Sequence, residues 1–367
     1  MRPSERAQFV RPASRADVEA SAFEVRGESP QLGFVELREG DEVPPERGDL
    51  ELVEEETEHS LLEPVKYYIY HARLRRTGPA LLAKKDLEFL DRIEVKTKHY
   101  LERIDAAIES ELSRYSDSRF AGPLRYALEG GKRIRPLVLL LAAEAVGRSD
   151  DEKVLDAAVA VELLHAESII HDDIIDQEAS RRGRAAFHVR YGYSTSLLTA
   201  DFVFAMILAI AARYPDRRVA TTISNAAMNM CEGEYAELTI DPEVYKLDWE
   251  EYLEVISKKT AALFETAVRL GGLVGGASPE KLEALTEYGR FLGIAYQVHD
   301  DILDWGSEDK MTAALKRRGD ERMLLAKLQS MTDSYAKKAK DRLSLLDESE
   351  ATSFLRELTD FSVKRDF

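Results

Sequence analysis

The stretch Leu163-Leu164-His165-Ala166-Glu167-Ser168-Ile169-Ile170-His171-Asp172-Asp173-Ile174-Ile175-Asp176 places three aspartates at the end of an apolar run. Its spacing predicts a helix, and on a helix residues i and i+4 share a face. The carboxylates of Asp172 and Asp176 therefore point the same way, with Asp173 about 100° round the axis. A second copy, Asp300-Asp301-Ile302-Leu303-Asp304, follows another apolar run that includes Phe291, Leu292, Ile294, Ala295 and Tyr296. An ionised carboxylate is costly to bury unless it is paired or coordinates a metal. Hard oxygen ligands with no fan of His or Cys select Mg²⁺ or a similar ion, which bridges to phosphate oxygens. Either pentad alone, in an acidic chain, reads as a solvated helix face. Two copies, each following an apolar run, do not.

Basic residues supply the complement. Gly130-Gly131-Lys132-Arg133-Ile134-Arg135-Pro136 sets three cations beside a glycine break, ahead of an apolar helix. Arg181-Arg182-Gly183-Arg184 follows the first aspartate cluster, and Lys258-Lys259-Thr260 opens the run Ala261-Ala262-Leu263-Phe264. Arg grips phosphate as a planar fork and Lys as a point charge. Taken singly, each group is a solvated surface cluster. Beside two aspartate clusters they form the other half of a diphosphate site.

The rest of the chain bounds the reading. It has 367 residues, 68 acids against 51 bases and a net charge of −17. Such a balance argues against nucleic acid as a partner. A lone Cys231 excludes a disulfide framework and a Cys-rich metal site, and suits a reducing compartment, so a cytoplasmic protein is expected. The longest uninterrupted apolar run, Phe202 to Ala212, is short of the ~20 residues of a spanning helix, so no transmembrane segment is expected. Residues 1–80 are a polar, acidic extension: eleven acids stand between Glu36 and Glu58 against Arg38 and Arg47. A short strand at Phe34-Val35-Glu36-Leu37 fits, but a solvated tail is the favoured reading there. An aromatic and basic patch, Val65 to Arg76, follows. From about Leu81 the pattern is helical: Leu87, Leu90, Ile93, Leu101, Ile104, Ile108 and Leu112 recur at helix spacing. Val138 to Ala145 and Leu197 to Ala212 are apolar nearly all round, which predicts interior helices. Residues 81–367 are expected to be one all-α domain.

With these motifs in this order, residues from about Ile93 to Phe367 resemble a trans-isoprenyl diphosphate synthase, the polyprenyl synthetase family. The resemblance implies an isoprenoid-synthase-type helical bundle around a central cavity, usually a homodimer. It implies a prenyltransferase that joins isopentenyl diphosphate to an allylic diphosphate (dimethylallyl, geranyl or farnesyl) and gives a longer all-trans product. Mg²⁺, with Mn²⁺ as the alternative ion, would be held by Asp172, Asp173, Asp176, Asp300 and Asp304. The same resemblance assigns Arg181, Lys259, Thr260 and Gln297 to the allylic diphosphate or the cation formed from it. Lys132, Arg135, His165 and Arg182 match the positions that hold isopentenyl diphosphate. The catalytic set is then Asp172, Asp173, Asp176, Lys259, Gln297 and Asp300. The growing chain would lie along Val159 to Ile170 and Leu197 to Ala212, and His171 and His299 would steady neighbouring aspartates.

The match departs from the family pattern in three places. Glu167 stands where relatives carry a small or aromatic residue that sets product length; a twenty-carbon product, geranylgeranyl diphosphate, is the expectation. Glu237 stands where relatives often carry Gln. After Asp304 the usual glycine-lysine pair is absent, leaving Lys310 or Lys316 to replace it. Two other readings are a terpene cyclase-like ionising enzyme and a non-catalytic subunit of a heteromeric synthase. The first would need no isopentenyl site, and the second would tend to lose its aspartates.

Overall fold

In the computed structural model the described residues are 32–37, 50–59, 64–72, 84–148, 152–181, 183–306 and 310–364, and the chain divides between Leu82 and Ala83 into two units. In the first unit, β1 (Leu32–Leu37), β2 (Leu50–His59) and β3 (Pro64–Ala72) form an antiparallel sheet in the order β1-β3-β2. Phe34 stands opposite Ile69, and Thr57 opposite Lys66, while a shift between Leu52 and Glu54 marks a bulge. A sheet therefore stands where a solvated tail was the favoured reading. The middle strand is rich in β-branched and aromatic residues, which suit strands. It supplies backbone partners to an acid-rich segment whose own composition carries no strand signal.

The second unit is helical. Its first half comprises α1 (Lys84–Ser113), α2 (Ala121–Leu128), α3 (Ile134–Ala145), α4 (Glu152–Ile175), α5 (Phe187–Tyr191) and α6 (Tyr193–Ala211). The second half runs α7 (Arg217–Leu238), α8 (Trp249–Ile256), a π-helical turn (Ser257–Ala261), α9 (Ala262–Gly275) and α10 (Pro279–Leu303). The last helices are α11 (Lys310–Lys316), α12 (Glu321–Arg342) and α13 (Glu350–Ser362). Between α4 and α5, β4 (Ser180–Arg181) and β5 (Arg184–Ala185) make a two-stranded ribbon.

Helix starts are set by local chemistry. Asp248 and Glu251 form a reciprocal capping box on α8, and Ser278 caps α10 with Pro279 in its first turn. The core centres on α3, α4 and α9: Val138 to Ala143, Val159 to Leu164 and Leu263 to Phe264 are almost without exposure, Glu162 included. Opposite the aspartate end, Arg213 ties three elements together, with Nη2 2.7 Å from Glu111 Oε1 and Nη1 2.9 Å from Asp156 Oδ1.

The expectations for the two apolar segments part here. Helix α3 is interior as expected. Helix α6 is not: Leu197, Leu198, Phe204 and Leu208 are 52%, 57%, 40% and 53% exposed. By length and composition α6 is long and apolar enough to cross a membrane, with 44% of its apolar window buried in the protein, a test that core helices of soluble proteins also pass. The uninterrupted-run criterion had stopped at Asp201, whereas a 19-residue helix tolerates one acid. Composition alone does not separate a helix buried by its own chain from one whose outer face is left for another surface.

Glu265 on α9 shows the cost of burying charge. Burial raises its pKa, and Arg290 and Arg269 lower it by less. A carboxyl raised in the fold makes folding less favourable as pH climbs above its ordinary value near 4.5. Replacing it by Gln removes that loss. Glu265→Gln is expected to raise Tm by ~1–3 °C at pH 7, with the difference from the parent protein shrinking to nothing as thermal melts approach pH 4.

Candidate active site

The C-terminal end of α4 carries the first aspartates, and their directions differ as helix geometry requires. Asp173 is 2% exposed and its carboxylate receives the Arg181 guanidinium from β4. Asp172 faces another way, toward Lys259 and Glu234, and burial pushes its carboxyl up to about 7 despite the opposing Lys259 charge. Asp176 stands at the rim, with Lys310 Nζ 3.8 Å from its Oδ1. The other replacement candidate, Lys316, instead lies over the Trp305 ring at 5.2 Å. Lys310 is thus the lysine beside the first cluster.

The second cluster closes α10. Asp301 is buried and accepts hydrogen bonds from the Tyr252 hydroxyl and, at 2.8 Å, from Gln297 Nε2. Gln297 turns its other end to the π-helical turn, its Oε1 accepting from Thr260 Oγ1 at 2.7 Å. On the opposite side of that turn Lys259 Nζ lies 2.7 Å from Glu234 Oε2 and 2.7 Å from Glu237 Oε2, both on α7. Burial works against the ammonium, but Glu237, Asp172 and Glu234 together outweigh it and hold the Lys259 pKa well above its ordinary value. Around the turn, a cleft of about 400 Å³ is lined by Glu237, Lys259, Thr260, Gln297, Asp301 and Met311 among others.

The Gly-Gly-Lys-Arg segment separates into two roles. Arg135 stacks on the Phe264 ring at 4.8 Å, with Nη1 3.1 Å from His165 Nε2, so these two predicted residues share one place. Lys132 is exposed beside them in sequence. Arg133 turns inward: Nη1 lies 2.6 Å from Glu162 Oε1, Nη2 2.6 Å from the Leu128 carbonyl and Nε 3.0 Å from Asp105 Oδ1. Its backbone is left-handed at φ 53°, which is what points the side chain back beneath the loop. Arg182 lies outside the described residues, as do residues 307–309 after the second cluster.

Two further positions differ from what their surroundings in sequence indicate. Glu167, expected to face an apolar tunnel, has Oε1 3.2 Å from His171 Nδ1. His171 therefore steadies this glutamate, and the hydrogen bond raises its own pKa. Tyr252, which holds Asp301, went unsuspected. Only the capping box that fixes the phase of α8 marks its place in the sequence, and that gives no hint of its partner.

This arrangement has known counterparts. The polyprenyl synthetase family model matches residues 117–318. Geranylgeranyl diphosphate synthase of Methanosarcina mazei is 38% identical over 243 residues, 65% of this chain and 72% of that protein. Octaprenyl diphosphate synthase of Escherichia coli is 34% identical over 236 residues, 63% of this chain and 71% of that protein. Among solved structures, geranylgeranyl pyrophosphate synthetase of Pyrococcus horikoshii superposes with a TM-score of 0.67 at 31% identity, covering 77% of this chain and all of that one. Motifs, helical fold and relatives agree: the chain belongs to the polyprenyl synthetase family and is a trans-isoprenyl diphosphate synthase, a prenyltransferase that lengthens allylic diphosphates.

Proposed function

We propose that this synthase condenses isopentenyl diphosphate with an allylic primer to give geranylgeranyl diphosphate, with Mg²⁺ as its cofactor. The observation that carries the site reading is the π-helical turn. It presents Lys259 toward Asp172 and joins Thr260 through Gln297 to Asp301, so one short segment links both aspartate clusters. The product length rests on the similarity to the Methanosarcina mazei enzyme.

The donor set fits a hard divalent ion. Asp172, Asp176, Asp300 and Asp304 offer carboxylate oxygens, and the Asp172 carboxyl, raised chiefly by burial, is one that a bound cation would favour in its ionised form. Among the described residues no group of three or more His, Cys, Asp or Glu side chains converges as a metal cage. Mg²⁺ keeps several waters and substrate phosphate oxygens in its shell and takes only one or two carboxylates from a protein. When bound, it would supply neutralisation of the charge that develops on the departing diphosphate.

The chain's own groups do the rest. Lys259, Thr260, Gln297 and Arg181 hold the allylic diphosphate, and Lys310 takes the part of the missing post-motif lysine beside Asp176. Lys132, Arg135, His165 and Arg182 hold isopentenyl diphosphate. The allylic C–O bond breaks with its electron pair going to diphosphate. The isopentenyl double bond then attacks the cation, and the proton it loses goes to the departed diphosphate. Fixed cations and dipoles around that charge stabilise the transition state without reorganising. The reducing cytoplasm suits the exposed free Cys231.

Leu197, Leu198, Phe204 and Leu208 on α6, with Met228 and Tyr235 on α7 exposed as well, support a homodimer through this face.

Purified protein incubated with isopentenyl diphosphate, Mg²⁺ and primers of five, ten and fifteen carbons is expected to yield a twenty-carbon product from each. Asp172→Ala should lower turnover by at least ~100-fold with an unchanged helical spectrum. Failure to consume isopentenyl diphosphate with every primer would sink the reading, and a cyclic product from a primer alone would replace it. Lys132→Ala should raise the isopentenyl KM about 10-fold and leave Tm alone. Arg133→Ala, which strands buried Glu162, should cost about 3 kcal/mol in a denaturant titration. Leu198→Asp should shift the protein from dimer to monomer in sedimentation velocity; a parent protein that is already monomeric would count against the dimer.

A further inference from the structure

The π-helical turn is set between two helices at points where neither has a side chain. A Cβ built on Gly233 of α7 would stand 2.5 Å from the Lys259 nitrogen and 2.9 Å from Lys259 Cα. A Cβ on Gly293 of α10 would stand 2.6 Å from Ala261 Cα. Real Cβ atoms do not approach backbone that closely, so either substitution must displace the turn or the helix.

Each glycine is followed, one helical turn later on the same face, by a residue that receives a side chain of the turn. Four residues after Gly233, Glu237 takes the Lys259 ammonium at 2.7 Å. Four residues after Gly293, Gln297 takes the Thr260 hydroxyl at 2.7 Å. Backbone contact and side-chain contact are thus stacked on one stripe of each helix. A π-helical turn carries one residue more than an α-helical one, and such turns recur at functional sites. Here Lys259 and Thr260, adjacent in sequence, reach two different helices, α7 and α10.

We propose that Gly233 and Gly293 are positioning residues of the diphosphate grip: by admitting the backbone of Ser257–Ala261 against α7 and α10, they fix where Lys259 and Thr260 stand before substrate arrives. The inference rests on the reading of Lys259 and Thr260 as groups that bind the allylic diphosphate. Displacing such groups by an ångström is enough to weaken binding tenfold or more. The isopentenyl site, built on Lys132, Arg135 and His165, is carried by α3, its preceding loop and α4, and meets the helix after the turn where Arg135 stacks on Phe264; Gly233 and Lys259 lie on the other side of the turn from that contact.

The test is a double-mutant cycle on the full chain, with KM measured separately for the two substrates. Gly233→Ala is expected to raise the allylic KM about 10-fold and the isopentenyl KM less than about twofold. Added to Lys259→Gln, it should change the allylic KM by less than about twofold, since the group it positions is gone. Gly275→Ala, where a Cβ would meet Val146 Cγ2 at 2.6 Å away from the turn, controls for packing damage and should lower Tm with no allylic-selective effect. Should Gly233→Ala not fold, Gly293→Ala with Thr260→Val runs the cycle from the other side and is read by its coupling in the allylic KM alone, because a Cβ at 293 also meets Phe264 Cβ at 3.0 Å beneath Arg135. An additive cycle, or equal rises in both KM values, overturns the inference alone. Parent kinetics in Lys259→Gln overturn the lysine's role and the inference with it.

Discussion

Carboxylates buried on apolar helices are the constraint from which the rest of this enzyme follows. Asp172, Asp173 and Asp301 sit at the ends of helices otherwise built for a core, and each must be offset or it would unfold the helix end that carries it. Asp173 is offset by Arg181 and Asp301 by Tyr252 and Gln297. Asp172 is the exception. Burial pushes its carboxyl up to about 7, and Lys259, which opposes that push, is shared with Glu234 and Glu237. The clusters are therefore not six equivalent acids. Asp173 and Asp301 are held by partners within the fold, while Asp172 is raised by burial and faces a shared lysine.

The cations divide in the same way. Arg133 and Arg135 are two residues apart, yet one clamps Glu162 and the Leu128 carbonyl beneath the loop while the other stacks on Phe264 beside His165. The left-handed Arg133 backbone produces that split, because it reverses the side chain while the helix starts one residue later. A run of cations that looks like one group in sequence divides into a strut, Arg133, and a side chain stacked on an aromatic ring, Arg135.

Glu167 shows how a departure from the family pattern is accommodated. A lone carboxylate in an apolar lining would be unfavourable, but His171 lies one helical turn on and holds it. The pair thus places polar surface on a helix face expected to be apolar. The outer face of α6 is the reverse case, apolar side chains left exposed on a helix expected to be interior.

Much of this was legible in the residues themselves. Helix periodicity, the doubled aspartate pentad and the ordered cations determine the all-α class and the diphosphate chemistry, because each depends on spacings of three or four residues along one chain. Of the sheet in the first unit only the strand at 34–37, the less favoured reading, was legible and lies within β1; the acid-rich β2 is a strand through its pairing with β3. Not legible were the face α6 turns outward, the Tyr252–Asp301 contact or the choice of Lys310 over Lys316. Each joins residues whose distance in sequence says nothing of their distance in space, as Tyr252 and Asp301 do across 49 positions. Sequence determines which groups a helix carries and which face they share. Only tertiary packing decides which helix lies opposite, and so which charge is cancelled and which is left to bind.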